Sequence, residues 1–187
     1  MELIRTPLEG CFEIKPSVFK DERGYFFESF NERKFNELTG LNIHFVQDNQ
    51  SLSSYGVLRG LHFQKGEYAQ AKLVRVIRGK VLDVAVDLRP DSPTFGQYHS
   101  VILSDENQLQ FFVPRGFAHG FAVLSPEAEF FYKCDNYYHK SSEDGILFND
   151  PELEINWEIP FHDILLSEKD EQNKTLSEFK KEVLSYV

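Results

Sequence analysis

The residues of this sequence that can move protons or hold anions lie among apolar neighbours. In VLRGLHFQ (57–64), Arg59 and His62 flank Gly60 beside Val57, Leu58 and Leu61. A guanidinium suits a phosphate, and an imidazole suits proton transfer near neutral pH. By the two-residue period of a strand, His62 and Gln64 share a face. Arg59 lies on the other face unless Gly60 marks a bulge that re-aims it. PRGFAHGFAV (114–123) places His119 on the face of Phe117, Phe121 and Val123, and EFFYKC (129–134) places Tyr132 with Phe130 and Cys134. Lys72 opens the apolar run KLVRVI, and Asp170 follows Ser167 in S-x-x-D spacing.

Each of these has a purely structural reading. His119 reads as a hydrogen-bonded core histidine, Tyr132 as a core aromatic whose hydroxyl reaches a rim, and Lys72 as a side chain that snorkels to solvent. Asp170 fits a solvated capping box. Cys134 carries no sign of activation and reads as packing. Against these stands a cost: a buried polar group without a partner loses about 1–3 kcal/mol.

The elements that must position them are mostly short strands. In KVLDVAVDL (80–88), Leu82, Val84, Val86 and Leu88 alternate with Asp83, Ala85 and Asp87, the pattern of a half-buried strand. Further strands are expected over 25–30, 57–63, 72–77, 99–103, 109–113, 120–123 and 129–133. Gly, Pro, Asn and Asp punctuate them, as in Arg89-Pro90-Asp91 and Pro114-Arg115-Gly116. Many short strands at regular spacing predict a sandwich or barrel. Asn31 can cap a helix over ERKFNELT, with Phe35 and Leu38 on one face and Gly40 as its stop. Leu176, Phe179 and Val183 predict a C-terminal amphipathic helix that closes one end of the barrel.

The chain has 187 residues, 41% apolar and 27% charged, with 18 Phe, enough for one well-buried core. The expectation is a single domain over 1–187. A formal charge of −10 argues against a general binder of nucleic acid or membrane surfaces, and leaves room for an anionic ligand at a local basic pocket. No stretch reads as a signal peptide or membrane span. Two cysteines make no disulfide framework, which points to a reducing, cytoplasmic setting.

Metal chemistry is a competing reading. Gly56-x5-His62-x-Gln64-x2-Glu67 and the later Pro114-x-Gly116-x2-His119 resemble the two motifs of the cupin superfamily. Two imidazoles and a carboxylate can ligate iron or zinc, but Gln64 stands where metal-binding cupins place a second histidine.

Taken together, DERGYFFES (21–29), FVQDNQS (45–51), VLRGLHFQ (57–64), AQAKLVRVIRGKVLDVAVDLR (69–89), SPTFG (92–96), VPRGFAHGF (113–121), EFFYKCDNYY (129–138) and LSEKD (166–170) resemble the dTDP-4-dehydrorhamnose 3,5-epimerase family. The resemblance runs from about Ile4 to Asp170. It implies a mainly β, cupin-type jelly-roll β-barrel with a few short helices, working as a homodimer without metal or organic cofactor. It makes His62 the catalytic base, Tyr132 the acid, Asp170 the group that orients His62, and Lys72 the stabiliser of an enolate. Arg23, Glu28, Gln47, Asn49, Arg59, His119, Glu143 and Lys169 would hold the nucleotide-sugar, some reaching across a dimer, with Tyr138 as an aromatic platform.

The implied substrate, dTDP-4-dehydro-6-deoxy-D-glucose, carries a ketone between C3 and C5. That carbonyl acidifies both carbon-bound protons and is its own electron sink. The protein then needs a base, a cation near the enolate oxygen and an acid on the opposite face. A related single epimerase or ketoisomerase, and a non-catalytic sugar-nucleotide sensor, are the rival readings. Product identity separates the first, and a sensor has no use for a base–acid pair.

Overall fold

The computed structural model describes residues 1–184. In it the expected strands are joined by several that alternation does not reveal. The strands are β1 (Glu2–Arg5), β2 (Phe12–Lys15), β3 (Phe19–Asp21), β4 (Gly24–Phe26), β5 (Gln47–Ser54), β6 (Leu58–Gln64), β7 (Lys72–Arg78), β8 (Lys80–Asp87), β9 (Tyr98–Ser104), β10 (Gln110–Val113), β11 (Phe117–Val123), β12 (Glu127–Cys134) and β13 (Glu143–Gly145). Three α-helices complete them: α1 (Glu32–Thr39), α2 (Glu168–Glu171) and α3 (Leu176–Leu184). The last three residues of the expected domain lie outside the described residues.

One sheet has the order β1-β2-β10-β7-β12-β5, a second β13-β6-β11-β8-β9, and β3 pairs only with β4. The two large sheets pack face to face as a jelly roll; they do not join into one hydrogen-bonded ring. Between them lie Val74, Val76, Val81, Ala85, Phe111, Phe121 and Phe130. A second apolar layer covers the outer face of the five-stranded sheet. There Leu58, Leu61, Leu82, Val84 and Val86 meet Ile146, Phe148, Trp157, Leu176 and Phe179 from the C-terminal segment.

That second layer corrects two expectations. Strand β8 is not half-buried: residues 81–87 are all buried, and its acidic side, with Asp83 and Asp87, is fully enclosed. The apolar side faces outward and is sealed by the C-terminal segment. Helix α3 accordingly lies on the outside of the sheet and does not close an end of the barrel; Leu176 and Phe179 are its buried residues, with Val183 packed beside them. Backbone bonds knit this layer to β6: Leu58 N–H donates to Leu165 O at 3.0 Å, and Ile146 N–H to Leu61 O at 2.9 Å.

Other differences have local causes. The run 25–30 is strand only to Phe26, because its partner is the three-residue β3 in an exposed hairpin. Strand β5, QDNQSLSS, has no apolar alternation and is held by its pairing with β12 along its whole length. Helix α1 forms as expected: Asn31 accepts from the Lys34 N–H, and Gly40, at φ +72, donates to Asn36 O. Its Phe35 is buried under the end of the six-stranded sheet, whereas Leu38 is exposed.

Strands β6 and β11 approach each other closely at two glycines. A Cβ on Gly120 would stand 2.6 Å from Arg59 O and 3.0 Å from Gly60 Cα, and a Cβ on Gly60 2.6 Å from Gly120 Cα. Neither strand can yield, since both are packed on their outer faces. Gly120→Ala is expected to lower stability by about 2–3 kcal/mol, the cost of overpacking a filled interior. An unchanged denaturation midpoint would show that the strands separate freely.

Candidate active site

The bulge posited at Gly60 is present. Along β6 and β11, His62 pairs with His119 but Arg59 pairs with Phe121, so β6 carries one extra residue between them. Gly60 sits at φ +138, where a side chain is strained, and the Gly60–Leu61 peptide is cis. The extra residue turns Arg59 onto the side of His62, and both line one cavity of about 340 Å³. This volume is within the range of small-molecule sites. Arg59 Nε donates to Ser53 Oγ at 3.2 Å, which steers the guanidinium along the wall.

His62 and His119 face each other across the strand pair, and each is backed by an aspartate. The Nε2 of His62 is bonded to Asp170 Oδ1. Asp170 is delivered by α2, whose cap Ser167 accepts the Asp170 N–H at 3.2 Å. The backbone cap and the carboxylate's bond to His62 coexist, so the capping and functional readings of Asp170 are both realised. Burial raises the Asp170 carboxyl, but hydrogen bonds from His62, Ser167 and the Gly60 backbone outweigh it and hold it below the usual range. The Nδ1 of His62 makes no hydrogen bond among the described residues, and the side chain is 29% exposed.

The opposite wall comes from the other sheet. Lys72 stands on β7 and Tyr132 on β12, and the ammonium lies 5.8 Å from the ring centroid of Tyr132. Burial lowers the hold of Lys72 on its proton. Burial also pushes the Tyr132 phenol up to about 12, with Cys134 and Glu143 adding to it against Arg59. The phenol thus keeps its proton at neutral pH. Phe121 and Phe130, stacked at 4.1 Å, form an apolar floor.

Asn49 and Lys169 also line the cavity, so eight of the expected residues meet there: Asn49, Arg59, His62, Lys72, His119, Tyr132, Lys169 and Asp170. Glu143, Tyr138 and Gln47 form a chain at its rim. Lys169 Nζ pairs with Glu143 at 2.5 Å, Tyr138 Oη donates to Glu143 at 2.9 Å, and Gln47 accepts the Tyr138 N–H at 3.1 Å. Gln47 in turn donates to Asn49 at 3.1 Å. Arg23 and Glu28 are not brought to this cavity. Arg23 is 86% exposed and paired with Asp21 on the hairpin, and Glu28 pairs with Lys34 at 2.8 Å.

Of the metal motif, Gln64 accepts from the His139 N–H at 3.0 Å and Glu67 is exposed, and neither lines the cavity with the two imidazoles, whose Nε2 atoms bond aspartates. Among the described residues no group of three His, Cys, Asp or Glu is arranged to hold a metal ion. Alternation does not single out two features: Asp83, on the polar side of an amphipathic strand, stands behind His119, and in the patternless β5 Ser51 lines the cavity while Ser53 holds Arg59.

Fold and cavity place the chain among the cupin-type jelly rolls. Residues 5–178 match the family model described as dTDP-4-dehydrorhamnose 3,5-epimerase. A protein of that name from Escherichia coli (strain K12) is 53% identical over 178 residues, 95% of this chain and 96% of its own. The crystal structure of one from Elizabethkingia anophelis NUHP1 superposes with a TM-score of 0.92 at 62% identity, covering 95% and 97% of the two chains. The crystal structure of a dTDP-6-deoxy-D-glucose-3,5-epimerase from Legionella pneumophila Philadelphia 1, in complex with dTDP-4-keto-L-rhamnose, gives 0.91 at 50% identity over 94% and 93%. The chain therefore belongs to the dTDP-4-dehydrorhamnose 3,5-epimerase family, a family of isomerases. Among the described residues no helix is long and apolar enough to cross a membrane.

The His62–Asp170 pair predicts a pH signature in stability. The folded carboxyl titrates below its unfolded value of about 3.9, so its stabilisation is complete above that pH and vanishes as pH falls through the folded value. The stability difference between the wild type and Asp170→Asn should therefore be constant near neutrality and shrink in this acid window. A difference that persists unchanged at the lowest pH would show that the pair carries no charge-dependent stabilisation.

Proposed function

We propose that this protein converts dTDP-4-dehydro-6-deoxy-D-glucose to dTDP-4-dehydro-L-rhamnose, inverting C3 and C5 by proton transfer alpha to the C4 ketone. One observation carries the reading: an aspartate-backed histidine on one sheet and a neutral tyrosine on the other face a common cavity. Inversion needs this separation, since a proton returned to the face it left regenerates the substrate.

In this scheme His62 takes the proton through its free Nδ1, while Asp170 fixes the ring and stabilises the imidazolium. The electron pair moves into the substrate carbonyl, which requires no metal or organic cofactor. Lys72 lies beside the developing enolate oxygen. Its hold on a proton is weakened by burial and restored when a negative charge appears next to it, so it favours the enolate over the ketone. Tyr132 then supplies a proton to the opposite face. Arg59 and Lys169 give the diphosphate a local positive field within an acidic protein, with Asn49 and His119 as further contacts to the sugar. The rim chain of Gln47, Tyr138 and Glu143 would hold the nucleoside, with Tyr138 as the platform for the base.

Arg23 and Glu28 are assigned to the site of a second copy, the protein acting as a homodimer. Their exposure and their absence from the lining of the chain's own cavity support this. The two buried, unpaired cysteines are in keeping with a cytoplasmic enzyme.

Proton NMR of the substrate in D₂O tests the scheme. Wild-type protein should place deuterium at C3 and C5 of inverted product. His62→Asn should slow exchange at both carbons by about a hundred- to ten-thousand-fold. Tyr132→Phe should separate the two events, with deuterium entering uninverted substrate while inverted product is greatly reduced. Inversion at the wild-type rate in Tyr132→Phe would remove the tyrosine from the acid role, and near-normal exchange in His62→Asn would remove the base.

Mixing tests the shared site. Arg23→Ala and His62→Asn proteins, each deficient alone, should recover activity once their subunits exchange. No recovery despite demonstrated exchange would mean that each cavity is built from one chain.

A further inference from the structure

Asp83 is the one fully buried carboxylate at this site, and the scheme above does not use it. It stands on β8 two residues from Ala85, the register partner of His119, and so on the same face of the sheet. Both its oxygens lie within hydrogen-bond distance of His119 Nε2, at 2.9 and 3.0 Å, with side-chain exposures of 0% for Asp83 and 7% for His119. The other ring nitrogen is free. His119 Nδ1 has no partner among the described residues, yet the sole sealed and unpartnered side-chain polar atom among them is Asn173 Nδ2. Nδ1 therefore opens to the cavity that His119 lines.

We propose that Asp83 is a positioning residue that shares one proton with His119 Nε2 and thereby keeps Nδ1–H pointed into the cavity as a hydrogen-bond donor to the enolate oxygen, beside Lys72. The inference rests on the reaction proposed above. Asp83 and His119 together are electroneutral whichever partner holds the shared proton. With the proton on Asp83, the pair is a carboxylic acid and a neutral imidazole. With it on Nε2, the pair is a carboxylate and an imidazolium. In both forms Nδ1 bears hydrogen.

Burial penalises charge on each group, pushing Asp83 up and His119 down, while their mutual attraction opposes both shifts. Lys72 and His62 further disfavour a cation at His119. Both shifts draw the shared proton of the resting pair toward Asp83. When the substrate carbonyl gains negative charge, the proton can move from Asp83 to Nε2. Positive charge then arrives at the imidazole next to the enolate, no proton enters or leaves the protein, and the shift reverses when the carbon is reprotonated. The contrast with His62 is set by environment: Asp170 is held ionised by several donors, whereas Asp83 has only His119 and the charge of Lys72 nearby.

The test joins turnover to a direct view of the ring. In Asp83→Asn the amide can still donate to Nε2 and hold the ring, but it cannot transfer the proton. The expected result is a fall in kcat of about 10- to 100-fold, less than loss of a whole oxyanion donor, with little change in KM. The same substitution made in His119→Ala should add nothing further. A wild-type kcat in Asp83→Asn, or an equal additional loss in the His119→Ala background, would overturn the proposal. Nitrogen-15 NMR of the wild-type imidazole, which needs no substrate, should show Nδ1 protonated; a bare Nδ1 overturns it whatever the turnover. Absence of turnover by the wild type would instead sink the proposed reaction, leaving the ring measurement to judge Asp83.

Discussion

The contact between Gly60 and Gly120 is the constraint on which the site depends. Two strands approach there more closely than any side chain allows, and the extra residue in β6 is accommodated at that point. Without the bulge, strand alternation would send Arg59 to the outer, apolar face with Leu61 and turn Leu58 inward. With it, a guanidinium and an imidazole share a cavity, while the leucines on either side of Gly60 still bury their side chains beneath the C-terminal segment. One backbone irregularity thus serves both the packing and the chemistry.

The electrostatics follow from how the two sheets are covered. A chain of net charge −10 gathers Arg59, Lys72 and Lys169 around one cavity, and the cations face groups that each tune differently. Asp170 is buried but amply bonded, so it stays ionised beside His62. Tyr132 is desolvated without a compensating donor, so it stays protonated. A base and an acid of separate character arise from the depth of burial and the number of hydrogen bonds, with no unusual residue types.

Much of this was legible in the residues, for reasons that also explain what was not. Strands β7, β9, β11 and β12 carry alternating or continuous apolar runs because they build the layer between the sheets. Strand β5 has no such run, since its long pairing with β12 supplies what burial does not. Strand β8 misled because an amphipathic pattern says which residues differ, not which side is wet. Here both sides are covered, and the aspartates face inward. The histidines, Tyr132 and Lys72 announced themselves by lying in apolar strands, whereas the rim chain of Gln47, Tyr138 and Glu143 depends on loop geometry that no local pattern encodes. Arg23 and Glu28 were visible only through the resemblance, and one chain's geometry keeps them apart from the cavity.

Helix α2 carries Asp170 on a segment that also seals the outer face of the five-stranded sheet. During synthesis the strands bearing His62, Lys72, His119 and Tyr132 leave the ribosome well before this segment does, and they can pair in its absence. Until it docks, Leu82, Val84 and Val86 remain uncovered and His62 has no carboxylate to orient it. A nascent or truncated chain would thus be both sticky and unable to hold its base in place. Covering the exposed leucines and valines and arming the histidine are the same event, so a reactive imidazole is never presented by a half-made protein.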